Sequence, residues 1–162
     1  MAGQETQKER IDRELIELLN ELRVALPGVQ VLFAFLLVLP FQRNWSEATA
    51  LQEGVYLVAL LSSALAGALL IAPSVYHRLN FRRKVKEQML FDANRMLIAG
   101  TVFMAGGISA SLFVITDVLY GTLAGLITLG ASALVFLLLW YLLPLHRRGD
   151  PDDPAPAPAD EG

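Results

Sequence analysis

The sequence predicts an all-α, polytopic membrane protein: four transmembrane helices preceded by an N-terminal cytoplasmic amphipathic helix. Three observations carry that prediction. Hydrophobic residues make up 54% of the 162 positions and the mean hydropathy is +0.48, more apolar side chains than a soluble domain of this size hides. The charges are segregated into an N-terminal segment, the stretch from Tyr76 to Arg95 and a C-terminal tail. Between them lie apolar runs long enough to cross a bilayer.

Residues 1–23 form the first unit. Ile11, Leu15, Leu18 and Leu22 recur at helical spacing, and Ile16 and Leu19 widen the stripe. On the other faces Arg10 and Glu14, and Arg13 and Glu17, are four residues apart, so neighbouring turns carry opposite charges. The segment is net acidic, a poor match for anionic lipid, and is expected to contact protein rather than adsorb to a surface. The plainer account is a solvated helix leading into the first span.

The transmembrane domain is expected over residues 24–143. The first span, 24–42, lies between Arg23 and Arg43 with Gln30 and Gln42 as its polar members. Nineteen residues at about 1.5 Å each give about 28 Å, near the hydrocarbon thickness. Pro27 falls in its first turn, and Pro40 lies near the exit, where it ends or bends a helix. Ala48-Thr49-Ala50 has the small-residue form of a signal-peptidase site, but the run is too long for a signal core, so an uncleaved anchor is expected. Trp45 in the following turn suits the interfacial belt.

The second span, 54–76, places Ala59, Ser63 and Gly67 at four-residue spacing, a pattern that lets a neighbouring helix come close. A basic cytoplasmic loop, 77–95, follows. The third span, 96–116, is rich in glycine and serine. Asp117 interrupts it and reads as a solvated turn residue capping the fourth span, 118–143. That span opens with a GxxxG at Gly121 and Gly125 and ends on Trp140 and Tyr141. The tail, 144–162, has no apolar core residue to bury after Leu145 beyond scattered alanines and is expected to be disordered.

Orientation follows from the bases. The N-terminal segment, the Tyr76 to Arg95 stretch and the tail together hold all the Lys and Arg except Arg43. The positive-inside rule places those three segments in the cytoplasm and the protein in the plasma membrane as a multi-pass chain with both termini inside.

Little chemistry is legible. The absence of cysteine excludes thiol catalysis and thiolate metal sites. His77 and His146 lie at the membrane boundary without a third ligand at helical spacing, so neither a metal site nor a cofactor is expected, and no catalytic motif or nucleic-acid surface is present. Two residue groups stand out. Arg78, Arg82, Arg83, Lys84 and Lys86 form a run free of acids, and Glu14, Glu17 and Glu21 approach the membrane on the same side, so the helix is expected to dock on the basic stretch. Anionic lipid headgroups compete for the same bases. Gln30, Ser63, Ser109, Thr116 and Asp117 are the candidate polar path through the spans. For Gln30 the plainer account is an amide bonded to a neighbouring helix.

The blocks ELRVALPGVQVLFAFLL, within residues 18–41, and APSVYHR at 72–78 with the following FRRK resemble an uncharacterised family of small four-span membrane proteins, found mainly in actinobacteria. The likeness covers most of residues 10–145. It implies a domain of unknown function in the inner membrane of a Gram-positive-like cell, and some members carry a propagated sodium/proton antiporter name. It transfers no catalytic residues. The expected role is a non-enzymatic scaffold or regulatory subunit acting through its cytoplasmic face, with membrane lipids, a second copy or another membrane protein as partners. The alternative is a small oligomeric ion transporter or channel.

Overall fold

The computed structural model describes residues 7–79, 86–143 and 146, and every regular element among them is helical. Four long helices follow one another: α1 (Gln7–Val38), α2 (Ala50–Leu79), α3 (Lys86–Tyr120) and α4 (Thr122–Leu137). Short 3-10 turns at Leu39–Phe41 and Arg43–Glu47 join α1 to α2, and a π-helical turn at Leu138–Leu142 extends α4. Each helix holds a stretch long and apolar enough to span a membrane: Leu22–Phe41, Ala50–Tyr76, Phe91–Tyr120 and Thr122–Leu142. The chain is a multi-pass membrane protein.

The helices outrun the apolar stretches. The N-terminal segment and the first span are one continuous α1, and α2 and α3 extend into the basic stretch from both sides. Charge marks where a chain leaves lipid; it does not end a helix, because Lys, Arg and Glu are good helix formers. Pro27 consequently sits in the body of α1 rather than in a first turn, removing one backbone donor without ending the helix. Pro40 does mark an end: α1 stops at Val38 and a 3-10 turn takes over.

The helices run up, down, up and down. At one end Leu22 and Val29 of α1 pack with Ala66 and Leu70 of α2 and Ala93 of α3; at the other, Leu36, Ala59 and Ala110 pack together. Helix α2 packs mainly on α3, α1 lies chiefly on α2, and α4 lies on α3. A third of the span in α3 is buried, against 6% in α4. Helices α2 and α3 are therefore the spine.

The spine is a pair of heptad seams. Along α2, Gln52, Ala59, Ser63, Ala66, Leu70 and Pro73 are buried, with half-buried Tyr56 completing an alternation of four- and three-residue steps. Along α3 the same alternation runs through Ala93, Gly100, Gly107, Ser111 and Val114, with half-buried Leu97 and Met104. This is the spacing that keeps one face toward a partner in a left-handed helix pair. The expected α2 face of Ala59, Ser63 and Gly67 shifts accordingly. Gly67 turns toward α1, where Val29 Cγ1 lies 3.7 Å from the position of an added Cβ.

Glycines set how closely the spine packs. A Cβ on Gly100 would meet Leu70 at 2.9 Å, and one on Gly107 would meet Ser63 Oγ at 2.8 Å and the Ala59 carbonyl at 3.4 Å. Moving seven residues from Leu70 to Ser63 on α2 moves seven from Gly100 to Gly107 on α3, so the antiparallel register is uniform. At the far end α3 turns into α4 through Gly121 alone, whose φ of +88° favours glycine. Gly125 then seats α4 against Phe113 and Asp117, each 3.1 Å from a Cβ built there.

Gly107→Ala should destabilise the protein by about 1–3 kcal/mol, the usual cost of overpacking. Adding Ser63→Ala should restore most of that loss, because it removes the atom struck first. Denaturant titration of the four variants of this cycle in detergent micelles checks the prediction; a double variant no better than Gly107→Ala would contradict it.

Candidate functional site

The buried polar groups of the chain collect on and beside the spine, and the most strongly polar pair closes its far end. Thr49 and Gln52 form a reciprocal cap at the start of α2. The Thr49 N–H donates to Gln52 Oε1 at 2.9 Å, and the Gln52 N–H donates to Thr49 Oγ1 at 3.3 Å. With its carbonyl oxygen held by the cap, the Gln52 amide turns Nε2 across to α3, where it donates to Asp117 Oδ2 at 2.6 Å. Both residues are buried, and Asp117 Oδ1 has no hydrogen-bond partner.

This overturns the reading of Asp117 as a solvated turn residue that caps the fourth span. Asp117 lies inside α3, one turn before its end, and α4 begins at Gly121 without a side-chain cap. An acid in the sequence next to a predicted turn suggests solvent, yet helical phase points this one inward, onto the seam. Gln52 is the residue that the sequence reading missed. Its signal was present: Thr49-x-x-Gln52 ahead of an apolar run is a capping box, and a capped glutamine has a free amide NH₂.

The remaining candidates do not converge on one path. Ser63 Oγ donates to the Ala59 carbonyl at 2.8 Å, within its own helix, and Ser111 Oγ does the same to Gly107 at 2.7 Å. Ser109 is buried with its Oγ unpartnered, beside an apolar crevice of about 410 Å³ between α2, α3 and α4. Thr116 is half-buried. Gln30 stands apart: it is exposed on α1 and has no hydrogen-bond partner among the described residues.

Outside the far end of the spine lies a groove of about 530 Å³, bordered by Gln42, Trp45, Glu47 and Gln52 and by Val114 and Val118 of α3. Trp45 is held edge-on against Tyr56, ring centroids 4.8 Å apart, while the Tyr56 hydroxyl donates to the Leu36 carbonyl at 3.0 Å. At the opposite end Thr101 Oγ1 and the Tyr141 hydroxyl are 3.0 Å apart, tying the π-helical turn to α3.

Of the proposed docking residues, Arg78 and Glu17 are exposed. Glu17 Oε1 lies 3.9 Å from Arg13 Nε. Arg82, Arg83 and Lys84, and the side chains of Lys86, Glu14 and Glu21, fall outside the described residues, as does the tail apart from His146. At the same end Arg95 lies over the Phe91 ring, 5.7 Å from its centroid.

Comparison with known proteins finds one match of family scale. The model of a family described as of unknown function, DUF6328, matches residues 4–144. Neither a curated protein nor a solved structure matches the chain.

Gln52→Leu should cost about 2–4 kcal/mol, from a lost cap and a buried carboxylate left without its donor. The double variant Gln52→Leu with Asp117→Leu should be more stable than Gln52→Leu alone, because both polar groups are then gone. Unfolding titrations in micelles decide this; a double variant weaker than the single one would contradict the pairing.

Proposed function

The chain belongs to this family of unknown function, DUF6328, and we propose that it is a non-enzymatic membrane scaffold or regulatory subunit that meets its partner through its cytoplasmic face. The observation that supports this reading is the use made of the buried polar side chains. Ser63 and Ser111 bond to their own helix, Thr101 meets Tyr141, and Gln52 meets Asp117. The serines spend their hydroxyls on their own helix and the other two pairs join neighbouring elements, a use of polar groups that supports packing over a solute route. The surface left for recognition is then the charged end.

That end carries Arg78, Arg95 and Glu17 in the described residues, and the Arg82, Arg83 and Lys84 run in the sequence. Under the positive-inside asymmetry it faces the cytoplasm, where bases attract anionic lipid at about 1 kcal/mol each and the remaining acids and bases suit a charged protein surface.

The second reading, a small oligomeric transporter or channel for ions, is favoured by one observation: the buried, unpartnered Oδ1 of Asp117, whose partner Gln52 borders a groove that Glu47 also lines. A carboxylate oxygen with no donor is a place for a proton or a cation.

Purified protein in liposomes under an imposed proton or sodium gradient separates the two. The scaffold reading predicts flux equal to that of protein-free vesicles. Flux that disappears in Asp117→Asn would establish the transport reading instead. In native membranes, a photo-crosslinker placed at Arg78 should capture one recurring polypeptide, and Arg95→Glu should reduce that capture severalfold.

A further inference from the structure

Gln30 sits about 12 Å along α1 from Leu22, where the apolar stretch begins, and so lies well within the hydrocarbon layer. The residue is exposed, and its amide has no partner among the described residues. Lipid tails offer neither a donor nor an acceptor at that depth, so the amide is left to be satisfied by another protein group. The small residues of the spans do not supply this contact. Ser63, Gly67, Gly100, Gly107 and Gly125 all seat helices of the same chain.

We propose that α1 forms a parallel, two-fold interface with α1 of a second copy, centred on a reciprocal Gln30–Gln30 hydrogen-bonded pair. An amide is self-complementary, one carbonyl and one NH₂, so two copies related by a two-fold axis along the membrane normal each donate and each accept. The same operator brings both Gln30 residues to one depth, a condition that a different partner would have to match by its own sequence. The neighbouring positions favour close approach. Pro27, Ala34 and Leu37 share the face and are exposed, and among them Pro27 and Ala34 are compact.

Charge along this face is mixed: exposed Arg23, seven residues before Gln30, meets its own copy at the membrane edge, where the long side chains turn apart toward headgroups. Beyond the apolar stretch Arg13 and Glu17, exposed and of opposite sign one turn apart, border the continuation of this face past Ile16. A parallel copy sets a second such pair at the same level, so each base gains an acid across the interface as well as along its own helix. An antiparallel copy would bring Arg13 opposite no complementary residue of α1. This interface lies within the membrane and does not depend on which partner the charged end recruits.

The natural absence of cysteine makes the test direct, since a single introduced cysteine forms a disulfide only between copies. The full chain with Ala34→Cys, purified and reconstituted into phosphatidylglycerol and phosphatidylethanolamine vesicles at increasing lipid dilution, should yield a covalent dimer on mild oxidation. Gly130→Cys, on an exposed part of α4 with open space around it, should yield none at the same dilution. Adding Gln30→Leu to Ala34→Cys should weaken association about three- to thirty-fold, the effect of one to two interhelical polar contacts in a membrane. Gln30→Asn should recover part of it. The helical circular dichroism of Gln30→Leu should match that of the parent, separating lost association from lost fold. A monomer at every dilution, equal cross-linking through Gly130→Cys, or cross-linking untouched by Gln30→Leu would each overturn the proposal.

Discussion

The close antiparallel contact between α2 and α3 is the constraint on which the rest of this structure depends. In lipid there is no gain from hiding apolar surface in another helix, because acyl chains are as apolar as leucine. What selects one arrangement is shape, and the shape here is set by Gly100 against Leu70 and Gly107 against Ser63. Two heptad seams meeting with glycine on the α3 side at those levels fix distance and register together. Helix α1 then attaches through Val29 at Gly67, and α4 through Gly125 at Phe113. The outer helices are carried by the spine and need little burial of their own, which is why almost all of α4 remains exposed.

The polar residues follow the same logic. A hydroxyl on a tightly packed helix is inexpensive when it bonds to the carbonyl a turn earlier, as Ser63 and Ser111 do. Asp117 is of a different kind, since burial of a carboxyl group demands a donor, and the donor comes from a glutamine already fixed by its own helix cap. One capping box therefore serves two purposes: it starts α2, and it aims the amide that joins α2 to the end of α3. This junction lies at the register that the Leu70–Gly100 and Ser63–Gly107 contacts extend to, eleven residues below Ser63 on α2 and ten above Gly107 on α3.

Much of the architecture was legible because composition and charge report on lipid directly. The charge-free runs gave four spans, and the small residues at Ala59 and Ser63 marked the right face of α2. The helix ends were not legible, because Glu, Lys and Arg leave the membrane without leaving the helix, so α1 runs on through Arg23 and α3 starts at Lys86. Asp117 was misread for a related reason: its neighbours suggested a turn, and its inward direction is a matter of phase along a helix that ends three residues later, at Tyr120. Gln30 is unusual in the sequence, but only packing reveals that it is exposed and has no hydrogen-bond partner among the described residues.

The central claim is that the buried serines are part of a dry helix contact rather than the lining of an aqueous route. Single cysteines at Ser63 and Ser109, in full-length protein reconstituted in vesicles, test it with a charged, membrane-impermeant maleimide applied to either side. Neither position should label until the protein is unfolded in detergent. Rapid labelling of both in the intact bilayer would contradict it.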